Sequence, residues 1–411
     1  MTHRKQHSVC MPNSKQQGFT LVEFMVASVL GLVVIAGAGS LYSYTKRLND
    51  VGMARVTTLQ DLRTAATLIT QDSRSAGVFG CANLGRRWAP DGSNCEVALQ
   101  NVDPTVLTAG ASMGEIIQLR TLDPIDGNKR SAGVRWVSAN SVASQLSGIW
   151  NGVNFTPKSG ALLFYYGEGS LSFNSSDAAA GTATFNTNEK NPNKVVSSVI
   201  EQGGWLVAAG CNTLAFKQSS GGTANTVQVT LPPGAVSTAA NADATENPIL
   251  PHSDMILQRY KIVAYVVGDI TGEPETALYR FEFGNNGDSW SPPQKLAKNV
   301  TNMTAQYLFV TDCPSAKPDD TLTNPVAALN AQAFTVRNAD DGNMIEDDKS
   351  VSPNNGKDDA VQGPSSIRLE LTYDFPKIRG GAIETGGQGE KFYISAVVRG
   401  GNVCASRKIA Q

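Results

Sequence analysis

Hydrophobic and polar positions change their rhythm near residue 76. Before that point, the 22 residues from Phe24 to Thr45 carry no charge. A helix rises about 1.5 Å per residue, so a run of this length crosses a hydrocarbon core about 30 Å thick. Past it, Leu59, Leu62, Ala66 and Ile69 recur at 3–4–3 spacing, while Asp61, Arg63 and Gln71 fall elsewhere around the circumference. No proline interrupts Phe19–Phe79. The pattern predicts one helix from about Phe19 to about Asp72, roughly 80 Å long. Residues 19–45 form its membrane span, and residues 46–75 continue it against an exported domain.

From residue 76 to 411 the period becomes that of strands. Predicted strands are Glu115–Leu122, Val134–Val137, Ala161–Tyr166, Gly204–Cys211, Asn225–Leu231, Met255–Gly268, Ala277–Phe283, Asn302–Val310, Ser366–Phe375 and Lys391–Gly400. Gly, Pro, Asn and Ser separate them. Two low-complexity stretches, Ser170–Lys194 and Gly234–Pro248, read as loops, as does the acidic segment Cys313–Pro364. Residues 138–251 are expected to carry an inserted subdomain. The fold class is therefore α+β: a long amino-terminal helix packed on an antiparallel β-sheet head with large loop insertions.

Composition narrows the function. Only 17% of the 411 residues are charged, the formal net charge is −2, and 39 residues are glycine. With no basic patch or aromatic-interleaved basic run, direct nucleic-acid binding is not expected. The first 18 residues carry Arg4, Lys5 and Lys15 and no acid, which favours a cytoplasmic amino terminus and an exported carboxyl domain. Six cysteines (Cys10, Cys81, Cys95, Cys211, Cys313 and Cys404) form no CxxC pair, so export points to disulfides instead of a zinc ribbon. Cys10 lies before the span. Cys81–Cys95 is the expected local pair, with one further pair among Cys211, Cys313 and Cys404.

Catalytic parts are scarce. His3 and His7 precede the span, leaving His252, and no HExxH, P-loop, GxGxxG or GxSxG pattern occurs. No enzyme activity and no cofactor are expected. The acids of Asn338–Asp359 invite a calcium reading, but placing Gly342 at the sixth loop position puts Arg337 and Ala339 where oxygen ligands belong. A solvated acidic loop without metal is the expectation.

One residue fits the span poorly. Glu23 lies at its start, where a carboxylate costs roughly 2.5–3.5 kcal/mol and ordinarily has a partner, yet no Lys or Arg lies within a helical turn. A cut between Gly18 and Phe19 would create a cationic α-amine to pair with it, within a chain or between neighbours. The surrounding "GFTLVEFMVASVLG" (Gly18–Gly31) resembles the type III leader of type IV prepilins and pseudopilins. The resemblance implies cleavage after Gly18 by a prepilin peptidase, N-methylation of Phe19, and use of Glu23, fifth residue of the mature chain, in subunit registration. "ALYRFEF…QKLAKNVTNMTAQYLF" (Ala277–Phe309), with "IRLELTYDF" and "FYISAVVRGGN", resembles the distal part of PilW-type minor pilins.

These resemblances imply a single-pass inner-membrane precursor, first in lipid and then in a pilus. Its partners would be other major and minor pilins and an inner-membrane assembly platform. Alternatives are a pseudopilin of a type II secretion system and a tip adhesin binding through head loops.

Overall fold

The computed structural model describes residues 18–79, 82–83, 98–99, 133–150, 152–179, 182–187, 205–209, 213–221, 226–230, 256–286, 289–310, 334–341, 346–348, 360–362, 364–379, 382–385 and 389–399. All six cysteines, His252, Glu115–Leu122, Gly234–Pro248, Gly342 and Asp358–Asp359 lie outside them.

Helix α1 spans Leu21–Ser75, 55 residues without a break, about 80 Å at the standard rise. Its buried positions are Val51, Thr58, Leu62, Ala65, Ile69, Asp72 and Ser73, one stripe at helical spacing. Leu59 and Ala66 lie at its margins, partly buried. The stripe packs against the strands Gln294–Lys298 and Glu390–Val397. Arg55 adds a cation–π contact, 5.2 Å from the Phe375 ring centroid.

An 11-stranded sheet forms the middle of the head. Its centre is the strand Ile256–Ile270, antiparallel to Ala277–Asn286 on one side and to Phe155–Ala179 on the other. Thr182–Thr187, Trp205–Ala209, Thr213–Gly221 and Thr226–Thr230 join the same sheet, so strands from 138–251 pair directly with its centre. A second sheet of four strands runs in the order Phe334–Asn338, Val300–Val310, Ser366–Tyr373, Glu390–Val397.

Apart from Lys261, the runs "ALLFYY" and "YKIVAYVV" are apolar at successive positions because both faces of the central sheet are covered. Leu162, Phe164, Tyr166, Val263, Tyr265, Val267 and Leu278 face α1 and the four-stranded sheet, in one cluster with Leu62, Ala65 and Ile69. The alternate residues Leu163, Tyr165, Ile262, Ala264, Val266 and Phe281 pack on the short helix Ala139–Gln145 and the turn Ser147–Trp150.

The chain leaves α1 by crossing the sheet's edge. Ala76 belongs to the helix-side core and Phe79 to the opposite one, where its ring stacks on Tyr260. Two glycines permit the crossing. Gly77 (φ 74°) donates its N–H to the Tyr165 carbonyl, and a Cβ on Gly133 (φ 84°) would sit 1.9 Å from the Gly77 nitrogen. Only glycine combines such backbones with that approach.

Two stretches expected as loops contain strands. Within Ser170–Lys194, backbone pairing joins Phe173–Ala179 to Thr182–Thr187, and Thr182–Thr187 pairs in turn with Thr226–Thr230. Within Cys313–Pro364, Phe334–Asn338 pairs with Val300–Val310, and Glu346–Asp348 with Ala360–Gln362. Ladder hydrogen bonds to neighbouring strands outweigh the turn-like composition of both.

Candidate functional site

Gly18, Phe19 and Thr20 precede the first helical residue and are exposed, so the Gly18–Phe19 bond lies in open, non-helical backbone. Thr20 is the N-cap, with extended dihedrals (φ −73°, ψ 147°). Its hydroxyl accepts from the Glu23 N–H at 3.3 Å. In return the Thr20 N–H and hydroxyl donate to Glu23 Oε2 at 3.0 and 2.9 Å. This is a reciprocal capping box, which satisfies backbone donors that a helix start otherwise leaves open. A carboxylate in the first turn also faces the positive end of the helix dipole.

The acid therefore has a partner nearer than the amine that the sequence argument supplied. The signal was legible as Thr-x-x-Glu in "TLVE". The box uses one carboxylate oxygen. Among the described residues, Oε1 of Glu23 accepts no hydrogen bond and remains available to a further donor.

Behind the box, every residue from Leu21 to Asp50 is exposed. Between Phe19 and Lys46, Glu23 is the sole charged side chain, and α1 holds an 18-residue apolar window long enough to cross a membrane, none of it buried within the protein. Ser28, Ser40 and Thr45 turn their hydroxyls back to carbonyls three or four residues earlier (Met25, Gly37 and Leu41) at 2.8–2.9 Å, so these polar groups are satisfied inside the helix. The stem is ready for an apolar environment.

At the far end, α1 carries a group that sequence reasoning missed. Asp72 is only 5% exposed. Its carboxylate accepts from the hydroxyls of Tyr166 (2.8 Å) and Tyr265 (2.5 Å) and from Arg280 Nε and Nη2 at 3.2 and 3.1 Å. Arg280 also pairs with Glu282, and Lys261 bridges Glu282 and Glu168. Burial, reinforced by the Asp72 charge, pushes both phenols well above the ordinary tyrosine range. Burial opposes the Arg280 charge, but Tyr265, Asp72 and Glu282 together hold it above its usual value. The available clue was an acid continuing the stripe of Leu62, Ala65 and Ile69.

In the acidic segment, Asp340 accepts from Trp136 Nε1 at 2.7 Å. This ties the turn Ala339–Asp341 to the strand Val134–Val137. Among the described residues, no group of three or more His, Cys, Asp or Glu is placed to hold a metal ion.

Residues 13–39 match the family described as the prokaryotic N-terminal methylation motif. No curated protein matches the chain. The motif and the apolar helix behind it indicate a membrane-anchored, single-pass protein of the pilin or pseudopilin type. They imply processing by a prepilin peptidase and assembly with other pilins.

Proposed function

We propose that the chain is a minor pilin of a type IV pilus, of the PilW type, acting in filament initiation or at the tip. The observation that carries the reading is the uncovered stem: a capped apolar helix, exposed from Leu21 to Asp50, joined to a folded head. Cleavage between Gly18 and Phe19 and methylation of Phe19 give a cationic amine beside Glu23. In the membrane, the capping box holds one oxygen of that acid. On assembly, the open oxygen takes a neighbour's amino terminus, and a misplaced subunit leaves both charges unpaired in apolar surroundings, the costly arrangement. Head-to-tail repetition that does not close on itself then builds a helical filament. Lipid contact is exchanged for helix–helix contact, and no bond is made or broken in the head.

A head built on an 11-stranded sheet would crowd a densely repeated shaft, which favours a rarely used subunit. A type II secretion pseudopilin shares the leader, stem and acid. Deleting the gene separates the two: loss of surface pili and twitching supports the pilus, and loss of secreted hydrolases with intact pili supports the secretion system. Within the pilus reading, Glu23→Ala should leave the chain in the membrane fraction and remove it from sheared filaments. Undiminished incorporation of that variant would refute the role given to Glu23.

A further inference from the structure

The helix–head joint raises a question of register. Leu62, Ala65 and Ile69 are completely buried, but this stripe is short and nearly repeats itself. Sliding the helix by three residues, about 4.5 Å, delivers Leu59, Leu62 and Ala66 to those three places. At those three places the contact stays apolar, with a Leu where an Ala fitted, while the buried place of Thr58 takes Arg55. Hydrophobic contact is non-directional and discriminates weakly between the two positions.

Asp72 discriminates strongly. Its four donors come from three different strands, Phe155–Ala179, Ile256–Ile270 and Ala277–Asn286, and converge on one carboxylate. The same slide puts Ile69 where the carboxylate was, leaving Arg280 (8% exposed) facing an alkyl group. Arg280 does not follow the helix, because Glu282 on its own strand holds it. The next residue, Ser73, donates its hydroxyl to the Val397 carbonyl at 3.0 Å, a tie to the four-stranded sheet that the slide also breaks.

We infer that Asp72 is the positioning residue that fixes the axial register of the head on its stem. Buried ion pairs often contribute little net stability compared with apolar replacements, and setting register is their best-attested use. Under the pilin reading, which this inference extends, a head displaced by 4.5 Å would meet its filament neighbours out of step. The register itself is a property of the single chain and can be measured without any filament.

The test uses the full chain in detergent micelles, with non-cysteine spin labels introduced at the exposed positions Gln60 and Thr304, read by pulsed electron paramagnetic resonance. The wild type should give one narrow distance. Asp72→Leu should add a second population displaced by up to about 4.5 Å. Because that variant strands Arg280 and can lose the fold, a companion carries Asp72→Leu, Tyr166→Phe, Tyr265→Phe and Arg280→Met together, removing the carboxylate and all four of its donors while Glu282 keeps Lys261. It should unfold at or above the wild-type temperature and still show two distances. One unchanged distance in the companion would overturn the inference, because the apolar stripe would then set register unaided. Loss of fold in both variants would also count against it, by making the network a requirement of stability instead of position.

Discussion

One helix contains two regions with opposite relations to their surroundings. From Leu21 to Asp50, α1 is exposed along its whole length, and from Phe24 to Thr45 it carries no charge on any side. From Val51 to Ser75 it buries a single stripe, exposes polar side chains such as Gln60, Arg63 and Gln71, and ends in a buried carboxylate with four donors. The first region suits an environment that is apolar from every direction and has no shape, as lipid does. The second suits one surface only. An all-round apolar helix can exchange one set of neighbours for another, while a stripe closed by a polar cluster cannot. Continuous helical hydrogen bonding joins a part built to change partners to a part built to keep them.

The most severe test of that contrast is a matched truncation. Leu62→Ala should destabilise the head by about 2–5 kcal/mol, the range for emptying a fully buried position. Leu32→Ala in the stem should leave the head's denaturant midpoint unchanged. Equal effects would erase the distinction. The crossing at the end of the docked half comes next. Gly133→Ala forces a Cβ against the Gly77 backbone and should cost about 1–3 kcal/mol, measured by the same unfolding curves.

A smaller effect belongs to the stem's cap. Thr20→Ala removes a capping box, worth about 0.5–2 kcal/mol to the first turn. Hydrogen exchange should quicken around residues 21–24 and stay unchanged in the head. The smallest effect at neutral pH comes from the docked half's phenols. Tyr166 and Tyr265 hold their protons in the fold to pH values far above the unfolded tyrosine value of about 10. Their contribution is complete below pH 10 and is lost as the pH rises above it, since the unfolded chain then releases protons the fold retains. Thermal unfolding should be insensitive to these groups between pH 7 and 9. It should fall above pH 10, less steeply in Tyr265→Phe than in the wild type.

What the sequence disclosed follows from how local each feature is. The span and the continuous helix are read from a charge-free run and a missing proline. The docking stripe was found nearly whole from Leu59, Leu62, Ala66 and Ile69, though the centre of the buried face is Leu62–Ala65–Ile69. Thr20 and Glu23 are three residues apart, so their box was present in the text. Asp72 was not legible, because its partners lie 94, 193 and 208 residues further on, and an isolated acid near a helix end is usually solvated. The strands within Ser170–Lys194 were hidden for a related reason. Their Ser, Asn and Thr look like turn residues, and what makes them strands is the partner across the ladder, including the distant Thr226–Thr230.

Mass spectrometry of the amino terminus of the membrane-extracted protein is the most direct test of the stem as a retained, processed element. A chain beginning at Phe19 and carrying one added methyl group is the predicted result. A chain that still begins at Met1, or one cut beyond Thr45 as a discarded export signal would be, would contradict it.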